Sequence, residues 1–126
     1  MAAPERLSLT GTVLDAPEPR ELAEFYRRLL GWTVVTEEPD WVKLAAPEGG
    51  PGLAFQRERQ YVRPSWPAAA GHQQMMLHLD FEVAELEEAV SFAIGLGAVQ
   101  ADHQPQEDTR VLFDPAGHPF CLWIPT

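Results

Sequence analysis

A chain of 126 residues, 45% apolar and 22% charged, is long enough to bury a core of its own as one domain, residues 1–126. Nineteen acidic against nine basic side chains leave a net charge of −10. That balance argues against nucleic acid and anionic membranes as partners, since phosphate binding needs clustered Lys and Arg; it is read first as keeping the chain in solution and only second as favouring cationic solutes. A lone cysteine, Cys121, cannot form an internal disulfide and points to the reducing cytoplasm. The stretch "MAAPERLSLT" has no basic segment followed by an apolar run, so no secretory leader is expected.

In chain order, "LTGTVLDA" reads as a strand, followed by a helix-like segment with Leu22, Phe25, Tyr26, Leu29 and Leu30 at spacings of three and four. Pro17 and Pro19 suit its first turn, and Gly31 suits the left-handed residue that ends it. Three strand candidates follow: "WTVVTEE", "WVKLAA" and, after the turn "PEGGPG", "GLAFQR". The segment "ERQYVRPSWPAAAGHQ", about 58–73, reads as a connection, although Tyr61 and Trp66 are large for a tether.

The plan then repeats. "MMLHLDFEV", residues 75–83, alternates with period two, placing Leu77, Leu79, Phe81 and Val83 on one face and His78, Asp80 and Glu82 on the other. A second helix-like segment carries Leu86, Ala89, Val90, Ala93 and Leu96 and stops at Gly97. Strand candidates "AVQADHQ", "TRVLF" and "FCLWI" complete the half, the last two joined by the turn "DPAGHP", where His118 is expected to hold the hairpin by hydrogen bonding. Each half is therefore β-α-β-β-β: module 1 about 7–57 and module 2 about 74–124.

With "AEFYRRLLGW", "HLDFEV" and "DPAGHPFCLW" at these places, the chain resembles the vicinal oxygen chelate superfamily, which includes glyoxalase I, extradiol dioxygenases and bleomycin-resistance proteins. It is most similar to the small glyoxalase-like members. The resemblance implies an α+β fold in which two tandem βαβββ modules form a U-shaped, half-open mixed β-sheet with the helices outside. Metal-using members place one ligand on the first and one on the last strand of each module. Carried over, those places are Gly11 and Leu53 in module 1 and His78 and Cys121 in module 2.

Glycine and leucine offer no donor, so no native catalytic metal and no other cofactor is expected. A divalent ion, if bound, would be held by His78 and Cys121, a soft pair suited to zinc. Asp80 lies on the face of His78 but about 7 Å along the strand, and would have to reach back. Without metal, His78 is the candidate acid–base catalyst, oriented by Asp80. Cys121 reads as a small buried hydrophobe unless its pKa is lowered.

Strand parity puts Trp123 on the face of Cys121 and Phe55 on that of Leu53, with Trp41 joining them if its register allows. Phe55, Trp41, Trp123, His78, Asp80 and Cys121 are thus the expected ligand contacts of an aromatic-lined trough. Arg57, Arg59 and Arg63 read as a loop rim or, alternatively, a site for an anionic group. The first expectation is a homodimeric protein that sequesters a small organic molecule. Its rivals are a metal-dependent lyase, isomerase or dioxygenase with an unconventional site, a metal-free His78 enzyme, and a dimerising module that binds no ligand.

Overall fold

The computed structural model describes residues 7–125; the first six residues of the stretch read for a leader lie outside them. The chain divides after Glu58 into two compact units.

The first unit runs β1 (Gly11–Ala16), α1 (Pro19–Leu30), β2 (Thr33–Glu38), β3 (Trp41–Ala45), a single 3₁₀ turn at Pro47–Gly49, and β4 (Gly52–Arg57). Its sheet has the order β1-β4-β3-β2, with β1 parallel to β4 and the other pairs antiparallel. Pro19 occupies the first turn of α1, where its missing N–H leaves nothing unpaired. Gly31, at φ 72°, ends the helix and donates to the Arg27 carbonyl. Of the apolar stripe on α1, Leu22, Phe25 and Tyr26 are fully buried. Tyr26 stacks on Phe55 of β4 at 5.6 Å between ring centroids.

That stacking identifies the helix-covered face of the first sheet and corrects two expectations. Residues directly opposite in a ladder share a face. Leu14 and Val42 lie opposite Phe55, while Thr12 and Leu44 lie opposite Leu53. Phe55 and Leu53 therefore point at α1, and Phe55 is 0% exposed. The other face carries Val13, Ala54, Gln56 and, opposite Gln56, Trp41. A shift of one residue along a strand exchanges the faces, so the last-strand place in module 1 belongs to Ala54 rather than Leu53. At the head of β1 and β4, Gly11 lies opposite Gly52. A Cβ on Gly52 would collide with the Leu44 carbonyl, and one on Gly11 would sit 3.0 Å from the Gly52 oxygen. The approach of the Leu44 carbonyl requires glycine at 52, and a side chain at 11 would be tightly packed against the Gly52 backbone.

The second unit runs β5 (Leu79–Glu82), α2 (Leu86–Leu96), β6 (Val99–Gln100), β7 (Thr109–Phe113) and β8 (Pro119–Trp123), with sheet order β5-β8-β7-β6 and β5 parallel to β8. The plan of the first unit is repeated, giving an α+β protein of two βαβββ modules. Ala93 of α2 and Leu112, Phe120 and Leu122 of the sheet form the buried side. Phe81 meets Phe120 edge to face at 6.1 Å.

Two strands are shorter than their sequence patterns. The alternation of 75–83 supports a strand only from Leu79, and Leu77 is 56% exposed. Pairing begins at Leu79 opposite Phe120 because β8 opens at Pro119, which has no N–H to donate, and the chain before it is a turn. The "AVQADHQ" strand stops at Gln100 because the Gln104 side chain takes over. Its Oε1 accepts from the Val111 N–H at 2.9 Å, and its Nε2 donates to the carbonyls of Val111 and Ala101.

The hairpin between β7 and β8 is tied by Asp114, a buried carboxylate. Asp114 accepts hydrogen bonds from the N–H groups of Ala116 and His118 and contacts His118 Nδ1 at 2.9 Å. Tyr61 comes from the connecting segment and donates its hydroxyl to the Ala116 carbonyl at 2.9 Å. Among the described residues no helix is long and apolar enough to cross a membrane.

Candidate functional site

On the second sheet the face opposite the buried Phe120 and Leu122 carries Cys121 and Trp123 from β8. Asp80 lies directly opposite Cys121, and Thr109 opposite Trp123, so all four share that face. His78 sits one residue before β5, at the same parity as Asp80. With Gln106, these side chains line a recess of about 260 Å³.

Two residues along a strand are separated by about 7 Å of backbone, yet the long imidazole bends back over that distance. His78 Nε2 lies 3.1 Å from Asp80 Oδ1, with both side chains well exposed. One donor atom each from His78, Asp80 and Cys121 lies within 4.8 Å of the others. Asp80 is the hub of the group, paired with the imidazole and directly opposite Cys121 in the ladder. Burial pushes the Cys121 thiol up to about 11, and the Asp80 charge and hydrogen bond add to the rise. A thiol held in its protonated form is a poor nucleophile near neutrality.

The structure thus brings together four of the six residues expected to meet a ligand: His78, Asp80, Cys121 and Trp123. Phe55 is excluded from that role, since it is sealed between the first sheet and α1. Trp41 belongs to the first unit and lies on its sheet's face away from α1. Gln106 and Thr109 were not singled out from the sequence. Thr109 could have been found from Trp123, because hairpin pairing back from the "DPAGHP" turn sets the two opposite each other. Gln106 lies in an irregular segment where no periodicity marks an inward side chain.

The arginines have local duties. Arg57 binds Asp40 at 2.6 Å and Glu18 at 3.2 Å and donates to the carbonyls of Pro17 and Pro39, fastening the first unit's loops. Arg63 donates to the Pro115 carbonyl beside the hairpin turn. His103 packs at 5.5 Å against the Trp66 ring, and His118 is engaged by Asp114.

The four-ligand arrangement of metal-using relatives does not fit this chain, because Gly11 and Ala54 put no donor at the module 1 places. In module 2, by contrast, imidazole, carboxylate and thiol converge, and that set fits a three-donor ion site with an open position.

The family of glyoxalase-like domains matches residues 11–123. No curated protein matches the sequence. Among solved structures, a glyoxalase family protein from Enterococcus faecalis is 26% identical, with a TM-score of 0.65 over 94% of this chain and 98% of that one. A glyoxalase/bleomycin resistance protein/dioxygenase family enzyme from Burkholderia phytofirmans aligns with a TM-score of 0.72 at 16% identity, over 94% and 98% of the two chains. A fosfomycin resistance protein from Mesorhizobium loti aligns at 0.68 and 13% identity, over 98% and 95%. At identities this low the last two speak to fold alone.

Proposed function

We propose that this chain, which belongs to the family of glyoxalase-like domains, binds a small organic molecule in the recess on its second sheet and acts by sequestering it. The observation that carries the reading is the convergence of polar groups beside one aromatic wall. His78, Asp80, Gln106 and Thr109 offer donors and acceptors, and Trp123 offers a flat apolar surface. A carboxylate beside an indole suits a planar ligand with a cationic or hydrogen-bond-donating group. The recess of about 260 Å³ is small beside the roughly 300–1,000 Å³ of drug-sized pockets, so it accepts a compact ligand or one end of a larger one.

Sequestration is favoured over nucleophilic catalysis by the protonated Cys121 thiol. The absence of donors at Gly11 and Ala54 speaks against the four-ligand catalytic metal. A second reading, acid–base catalysis by His78 without metal, draws support from the Asp80 carboxylate at 3.1 Å, which is placed to orient the imidazole. The same proposal includes a homodimer in the cytoplasm, checked by light scattering on the eluting protein and by fractionation.

A thermal-shift screen against cationic antibiotics, thiol conjugates and aromatic diols tests the binding reading. The expected result is a saturable rise in Tm with one class, as ligand binds the folded form, and its loss in Trp123→Ala. No shift with any class, or a shift that Trp123→Ala leaves intact, overturns it. Turnover of a bound compound that disappears in His78→Ala would instead favour the second reading.

A further inference from the structure

We infer that His78, Asp80 and Cys121 form a binding site for one soft divalent cation, zinc by preference, contained entirely within the second module. The site differs from the four-place arrangement implied by the resemblance in two respects. It takes nothing from the first module, whose places hold Gly11 and Ala54, and it recruits Asp80, which occupies none of those places. The ion would share His78 and Asp80 with the recess of the proposed function, but its binding is read without any organic ligand, so the failure of either reading is distinguishable from that of the other.

The geometry supports it. One donor atom from each of the three side chains lies within 4.8 Å of the others. Ligands held tetrahedrally at zinc–nitrogen, –oxygen and –sulfur distances are about 3.3–3.8 Å apart. Drawing the three donors onto an ion therefore needs rotation of side chains, not movement of strands. The β5–β8 ladder fixes Asp80 directly opposite Cys121, and His78 reaches the carboxylate from the residue before the strand. His78 and Asp80 are exposed, leaving an entry path.

Donor chemistry selects the ion. Imidazole, carboxylate and thiolate together suit zinc or cobalt, whereas magnesium and calcium require an all-oxygen shell. Binding displaces the thiol proton to solvent and replaces the His78–Asp80 contact with two bonds to the metal. Three protein donors leave a fourth position for water or for an oxygen, nitrogen or sulfur atom of a ligand, and Gln106, Thr109 and Trp123 border that position.

The test uses the whole chain without a polyhistidine tag, stripped with chelator and titrated with Co²⁺ alone. The expected result is one equivalent bound, with a thiolate-to-cobalt charge-transfer band in the near ultraviolet and intense visible bands of a four-coordinate ion. Zinc should then displace the cobalt stoichiometrically. Cys121→Ser should abolish the charge-transfer band, and His78→Ala and Asp80→Asn should each weaken binding by at least about tenfold. His103→Ala serves as a control and should leave both affinity and spectrum unchanged. Circular dichroism and chelator-free thermal unfolding identify any variant that has lost its fold, and Cys121→Ala then replaces it. Failure to take up cobalt or zinc, uptake without the sulfur band, or uptake indifferent to Asp80→Asn would each overturn the site.

Discussion

At the head of the first sheet Gly11 faces Gly52, where the absence of side chains lets β1 lie close to β4 and β4 close to the Leu44 carbonyl of β3. At the matching head of the second sheet, His78 precedes β5 and Pro119 opens β8. One step along, Val13 stands opposite Ala54 in the first sheet, and Asp80 opposite Cys121 in the second. The same βαβββ scaffold thus carries Lys43, Gln56 and Trp41 on this face of one sheet and an imidazole, a carboxylate and a thiol on that of the other. At the head of the first sheet the backbone crowding leaves no room for a side chain at Gly52, whereas the second sheet has an imidazole at the matching end.

Exchanging large side chains between the two settings should show the widest contrast. Phe55 is fully buried against Tyr26, so Phe55→Ala should lower the unfolding free energy by about 3–5 kcal/mol, read from denaturant titration. Trp123, partly exposed on the ligand face of the other module, should cost clearly less when truncated. Equal losses from the two substitutions would mean that the second sheet's face is core and not a site.

The turns before the last strands differ next. In the first module it is a 3₁₀ turn with Glu48 at φ 67° and no side-chain cap. In the second it is gathered around the buried Asp114. Asp114→Ala leaves the Ala116 and His118 N–H groups without their acceptor and should cost about 2–3 kcal/mol. Asp114→Asn keeps one acceptor oxygen and should cost less. Urea midpoints for the pair measure the difference.

The smallest effect concerns Cys121, which has Ala54 as its counterpart. Its thiol titrates near 11 in the folded protein against an ordinary value of 9.0, so between those values the native state retains a proton the unfolded chain has lost. Stability should therefore be unaffected by this group below about pH 9 and should fall as pH rises from 9 to 11. Alkylation by iodoacetamide should be slow at pH 8 and accelerate toward pH 11. Asp80→Asn removes a neighbouring charge and should move that acceleration to lower pH. An unshifted alkylation profile in the variant would remove Asp80 as a cause of the thiol's high pKa.

The fold was legible because the repeat is written in chemistry with a period. The helical stripes, the glycines that end them and the "DPAGHP" turn each specify local structure by themselves. The site was legible only where it used the same cues. Trp123, Cys121 and Asp80 follow from alternation along two strands, whereas Phe55 was assigned to the wrong face. Parity relates residues within one strand but does not say which side the helix covers. That required the Tyr26–Phe55 stacking, a tertiary contact. The pairing of His78 with Asp80 was readable as a shared face, but its closeness was not, because closing the roughly 7 Å of backbone rise depends on side-chain length and rotamer.

Gln104 has a consequence for the molecule in company. Its amide occupies both the N–H and the carbonyl of Val111 on the outer side of β7, where the short β6 leaves off. An incoming strand from another molecule would find those hydrogen-bonding groups already engaged. A single side chain thus acts as a stopper against the edge-to-edge accretion that begins many β-aggregates.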